Sequence, residues 1–177
     1  QQLNTVIAAS GDSIGVAKNT NLVNLLQLNT LRANGVANIK LSDTAIVNKI
    51  LNSEIAKNIR PANIKYTQFM WGYKPEANDP NNLVLYAIRG NITQKAPVDG
   101  AVESARVNYD ELGRVVVDMQ MDSKGSKDWK TLTGKNVNKP VAVTLDNVVY
   151  TAPNVVNEIP NGRTQISGNF SQQEAQD

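Results

Sequence analysis

Residues 141–170 read VAVTLDNVVYTAPNVVNEIPNGRTQISGNF, and this stretch decides how the rest of the chain is read. Two apolar runs, residues 141–145 and 148–151, flank Asp146-Asn147. Strand-like alternation across a two-residue Asp/Asn link predicts a β-hairpin, because both residues tolerate the positive φ that a type I′ turn demands. Pro153 has no N–H to give to a ladder and closes the second strand. Asn161-Gly162 supplies another turn, residues 165–167 form a short strand or extended segment, and Gly168 breaks it. Ser171 and Glu174 then stand in the order S-x-x-E, a capping box that starts a helix. The sequence ends at Asp177, barely one turn later, so it reads as a piece cut from something longer.

Immediately upstream, the pattern gives a strand at 102–108, a turn at 110–113, a strand at 115–121 and a helix at 123–133. Asp122 or Ser123 caps that helix, and Trp129 and Leu132, three apart, form its buried contact. Strands interleaved with helices in this order predict an α+β fold: a mostly antiparallel sheet with helices on one face. The C-terminal half is expected to contain a split-βαβ (ferredoxin-like) element with a right-handed crossover.

The residues VAVTLDNVVYTAPNVVNEIPNGRTQISGNFSQQEAQD resemble the first periplasmic domain of the SecD, or fused SecDF, subunit of the bacterial protein-export machinery. In that family an AIVLDG-VYSAP hairpin runs through a Gly-rich return and a GNF segment into a helix. The upstream run ARVNYDELGRVVVDMQMDSKGSKDWKTLTGKN is similar to the same family, so the resemblance covers residues 102–177. Asn147 stands where the family usually carries Gly, and Pro160-Asn161 where Thr-Gly or similar is usual.

Composition narrows the chemistry. The chain has 177 residues, 41% hydrophobic but only 5% aromatic, so its core is expected to be aliphatic. A net charge of +2, with basic residues scattered, does not suggest a nucleic-acid partner. There is no Cys and no His, which removes disulfides, thiolate zinc sites, thiol nucleophiles and the commonest general base. No apolar run approaches the roughly 20 residues of a membrane-spanning helix. The sequence contains no signal peptide and residue 1 is Gln, not Met, which fits a mature or excised fragment.

The first half divides less sharply. Residues 1–63 read as a mainly helical and loop segment, and 64–177 as the α+β head region. Residues 1–19 form a polar terminus and 21–33 a weak helix. Residues 42–58 are the clearest helix, with Ser42 or Asp43 as cap, Ile46, Val47, Ile50, Leu51, Ile55 and Ile59 on one face, and Asn52-Ser53 as the place where it would divide. Pro61 forbids continuation. Residues 64–73 and 83–89 are strands joined by a turn-rich link. Phe69, Trp71 and Tyr73 sit two apart, placing three of the nine aromatics on one strand face. Such a face serves either as a sticky surface for unfolded polypeptide or as sheet core under the 42–58 helix, and a chain this poor in aromatics is expected to bury them.

Carboxylates are spread out. Asp118 and Asp122 are the nearest approach to an acid–base pair, but one lies on a strand, the other caps a helix, and nothing else converges on them. Residues 162–168 (GRTQISG) lack the phosphate-loop pattern, so their glycines read as turn devices. No catalytic residue, metal ligand or cofactor site is expected. The resemblance implies an extracytoplasmic, non-enzymatic domain on the periplasmic side of the inner membrane, part of an integral membrane parent. It would contact unfolded preprotein in transit, with SecF and the SecYEG channel engaged through the full-length protein and export coupled to the proton gradient. Candidate polypeptide contacts are Phe69, Trp71, Tyr73, Asn154, Val155 and Val156. The alternative is a generic cell-envelope binding or adhesion module with one defined partner.

Overall fold

A computed structural model describes Leu26, residues 34–168 and residues 171–176. The chain forms two compact units, residues 1–93 and 94–177. The 63/64 boundary expected from sequence lies inside the first.

In the first unit, β1 (Ala37–Lys40) is followed by a 3-10 turn, α1 (Thr44–Leu51), α2 (Glu54–Asn58), β2 (Gln68–Gly72) and β3 (Asn82–Ile88). Strand β3 pairs antiparallel with both β1 and β2, placing Leu85 opposite Ala37 on one side and Trp71 on the other. Ala37, Ile39 and Leu85 pack with Val47, Ile50 and Leu51 of α1 to form the aliphatic core. Ile39 and Val47 are 0% exposed. Full burial of each such side chain stabilises by about 1.5–3 kcal/mol. Of the helix expected over residues 21–33, only Leu26 is described; it has helical backbone and packs on this core.

The helical stretch expected over 42–58 forms two helices, divided at Asn52-Ser53 as the sequence suggested. Ser53 makes the break favourable: its hydroxyl donates to Ile50 O at 2.8 Å and accepts from Ala56 N at 3.2 Å, so it closes one helix and caps the next. Neither Ser42 nor Asp43 caps α1 through its side chain. The 3-10 turn at Leu41–Asp43 feeds directly into α1, and Thr44 Oγ1 donates back to Leu41 O. Arg60 ties the end of α1 to the start of β2, donating to Leu51 O at 2.8 Å and Thr67 O at 2.9 Å. Its guanidinium lies 5.2 Å from the Phe69 ring centre.

The second unit contains β4 (Val102–Tyr109), β5 (Val115–Met121), α3 (Ser123–Lys135), β6 (Val143–Leu145), β7 (Val148–Thr151), β8 (Arg163–Ser167) and α4 (Gln172–Gln176). Strand β5 lies between β4 and β8, antiparallel to both. The α+β class and antiparallel pairing agree with the sequence reading. Helix α3 follows β5 and leads into the β6–β7 hairpin, after which β8 returns to pair antiparallel with β5. Asp122 caps α3, accepting from Gly125 N at 2.6 Å. The β6–β7 hairpin turns at Asp146 (φ 50°) and Asn147 (φ 62°), the two positive angles of a type I′ turn. Ser171 precedes α4, and Ala175 N donates to Ser171 O at 3.2 Å. The Glu174 side chain of the expected capping box lies outside the described residues.

Candidate functional site

A groove in the second unit is built around α3. The buried stripe of this helix is Gly125, Trp129 and Thr133, one every four residues, so all three lie along one face. The contact expected from Trp129 and Leu132 is therefore carried by Trp129 and Thr133. Past α3 the chain turns at Asn138 (φ 63°) and runs alongside the segment that follows β7. Asn138 N donates to Val155 O at 2.8 Å, Val155 N to Lys139 O at 3.0 Å, and Val141 N to Pro153 O at 3.0 Å. Pro153 thus ends the hairpin as expected and accepts a hydrogen bond through its carbonyl.

The groove encloses about 310 Å³. Trp129, Val141, Val143, Pro153, Val155 and Ile166 give it apolar walls, and Asn154, Val156 and Asn157 also line it. Val155 is buried, whereas Val156 is 76% exposed. Thr133, 0% exposed, fixes the loop to the helix: its hydroxyl donates to Trp129 O at 2.8 Å and accepts from Ile159 N at 3.0 Å. Lys130 reinforces the same junction from outside, 3.6 Å from Glu158. These bonds make the groove largely pre-formed, which lowers the ordering cost of filling it.

The candidate residues divide between the units. Asn154, Val155 and Val156 come together on the groove. Phe69 and Trp71 pack against the core of the first unit, where Trp71 Nε1 donates to Asn48 Oδ1 of α1 at 2.9 Å. Tyr73 is 43% exposed. The sequence reading did not include the groove floor of Trp129, Thr133 and Ile166; the i, i+4 spacing of Trp129 and Thr133 was the available signal.

The carboxylates have structural tasks. Asp118 accepts from Asn108 Nδ2 of β4 at 2.6 Å and Gln165 Nε2 of β8 at 3.0 Å, joining its own strand to both neighbours. The Asn108 bond, then the Gln165 bond, hold its carboxyl below the usual carboxylate range. Asp122 is engaged at the helix cap. Arg163 Nε donates to Gln120 Oε1 at 2.9 Å, and Gly162 (φ 64°) turns the chain into β8. Among the described residues, no group of acidic side chains is placed to hold a metal ion. No helix among them is long and apolar enough to cross a membrane.

A pre-formed apolar groove on an antiparallel α+β scaffold has the geometry of a binding domain. The family model described as the SecDF P1 head subdomain matches residues 87–177, just over half of the sequence, and the chain belongs to that family. It is similar to the protein translocase subunit SecD of Rhodothermus marinus, 38% identical over 76% of this chain and 21% of that protein. The SecD of Calditerrivibrio nitroreducens is 44% identical over 55% of this chain and 22% of its own length. The chain thus spans about a fifth of the length of these relatives. A solved structure described as that of a membrane component, SecDF, that enhances protein export matches 99% of this chain and 81% of its own, at 19% identity and a TM-score of 0.44.

Proposed function

We propose that this chain is the extracytoplasmic head region of a SecD-type translocase subunit, and that its groove receives segments of unfolded preprotein emerging from the Sec channel. The observation that carries this reading is the groove itself. Its walls are aliphatic and its loop is anchored at both ends, so it accepts apolar segments of varied sequence without requiring one defined side chain. The domain stands on the periplasmic side of the inner membrane. SecF and the SecYEG channel are reached through the rest of the protein, where the proton gradient is coupled to forward movement. Asn154, Val155 and Val156 are the proposed contact strip, with Tyr73 the exposed member of the aromatic set.

Photo-crosslinking in the full-length translocase tests this. A photoreactive residue at Val156 should label a preprotein arrested in the channel, whereas the same residue at Leu112, 77% exposed at the tip of the β4–β5 turn, should not. Equal labelling at both positions, or labelling of a single folded envelope protein at Val156 instead, would overturn it.

A further inference from the structure

We infer that the outer edge of β8 is the docking strand of the groove: an extended segment of preprotein lies along it and pairs main chain to main chain with Gln165. This rests on the proposed function and specifies how the groove holds a chain without selecting its side chains.

The direction of each β8 peptide group follows from the sheet register. Along an antiparallel pair, residues alternate between exchanging hydrogen bonds with the neighbour and facing away from it. Met121 N donates to Gly162 O at 3.0 Å, so Met119 with Thr164 and Val117 with Ile166 are the next bonded pairs. Arg163, Gln165 and Ser167 therefore turn their N–H and C=O groups away from β5. The far side of β5 agrees. Asp110 N donates to Arg114 O at 3.0 Å, which makes Asn108, Arg106 and Ser104 of β4 the bonded partners of Val116, Asp118 and Gln120. Those are the β5 residues that β8 leaves unbonded. Ser167 shows the outward direction directly, its carbonyl accepting from Thr151 Oγ1 of β7 at 3.1 Å.

Gln165 is where this edge meets the groove, which it lines between Thr164 and Ile166. It is exposed, and its side chain is held on the opposite, polar face of the sheet, Nε2 donating to Asp118 Oδ1 at 3.0 Å. Its main chain therefore borders the groove. Among the described residues, no strand lies on this side of β8 and no hydrogen bond reaches the Gln165 N–H or C=O. The facing wall does not close the gap, since Val141 N and Val155 N are bonded to Pro153 O and Lys139 O. An exposed edge of this kind is a template for another extended chain. Asn154, Asn157 and Thr164 give the groove polar side chains as well, so the choice of guest rests on the spacing of the edge. It offers a donor and an acceptor on Gln165 and again on Arg163, two residues away, which is the repeat of a strand; a lone side-chain amide matches only one such pair. An added strand would lay alternate side chains toward the apolar walls and toward the polar face of Asp118, Gln120 and Arg163. Its affinity would come from main-chain bonds that every sequence can make.

The ¹⁵N-labelled 177-residue chain carries the readout in its own amide signals. The probe is a peptide of seven alternating Val and Ser residues between two lysines. An all-ester counterpart keeps the side chains but has no main-chain N–H and weaker carbonyl acceptors. On titration the Gln165 amide proton should move downfield and exchange more slowly with solvent. Val107, whose N–H faces outward on β4, should keep its exchange rate. The ester counterpart should bind about 5- to 100-fold more weakly, as expected for the loss of two neutral hydrogen bonds. If the peptide shifts Val155 and Ile166 while the Gln165 amide neither moves nor slows, and the ester binds equally well, the inference fails and the groove's role stands. Equal slowing at Val107 would also overturn it, because any open edge would then suffice. So would a Gln165 amide already slowed in the free chain in step with protein concentration, since a second copy would then occupy the edge. If no groove signal responds to peptide, the proposed function of the groove fails and the inference with it.

Discussion

Thr133 and Gly162 show how single residues set the shape of the second unit. The Thr133 hydroxyl joins α3 to Ile159 N, and it is fully buried. Thr133→Val would leave that amide without its acceptor, at a cost of about 1–3 kcal/mol for a buried unsatisfied donor. Thr131 makes a similar bond to Lys127 O on the exposed face of α3, so Thr131→Val should cost no more than about 0.5 kcal/mol. Urea denaturation of the two variants checks this, and equal losses would show that the Thr133 bond to the loop contributes nothing. Gly162 separates two effects of a missing Cβ. At φ 64° a side chain is strained, and a Cβ there would lie 2.9 Å from Ser126 Cβ and 3.0 Å from Ser126 Cα. Gly113 has φ 74° with nothing within 4 Å. Gly113→Ala should therefore cost about 1 kcal/mol, the left-handed penalty alone, and Gly162→Ala clearly more, because α3 must also move away.

At the scale of elements, the hairpin is where local chemistry alone sufficed. Asp146 and Asn147 both adopt positive φ, and a two-residue link leaves few other ways to reverse the chain. Asn147→Gly should raise stability by about 0.5 kcal/mol, since glycine meets no steric penalty at φ 62°, partly offset by the looser unfolded chain. Asn147→Val should lower it by more than about 1 kcal/mol, a β-branched side chain being poorly suited to that region. A loss of stability with glycine would contradict the turn. The Asp122 cap and the break at Ser53 were legible for the same reason, their partners being within three residues. Strand β1 was not legible. Four residues carry little periodicity, and Ala37–Lys40 become a strand by pairing with β3 more than forty positions away. The pairing of β8 was not legible for a related reason: element order does not say that β8 chooses β5 as its neighbour. In the groove, the rim at Asn154–Val156 followed from its place after the hairpin, while the floor needed Ile166 brought back beneath Trp129.

The titration behaviour of the whole molecule follows from what it lacks and from three shifted groups. With no His and no Cys, no side chain of ordinary pKa titrates between the carboxylates and the tyrosines and lysines. On the acid side, Asp110 is held below the usual carboxylate range, chiefly by the backbone N–H of Arg114, and Asp118 by Asn108 and then Gln165. A carboxyl with a depressed pKa in the fold stabilises above its unfolded value, near pH 4, and that contribution is lost as pH falls through the folded value. On the alkaline side, burial and then the nearby Glu76 carboxylate raise the pKa of Tyr86. The fold thus prefers the neutral phenol: this contribution is intact below about pH 10 and is lost as pH rises through the folded value. Stability should therefore be flat from about pH 5.5 to 9, falling on either side. Thermal unfolding across this range checks the plateau. Asp118→Asn should make the acid limb shallower while leaving the plateau level with pH, because a neutral amide has no proton to gain. A step near pH 6.5 would contradict the prediction, since no side chain in this sequence should produce one.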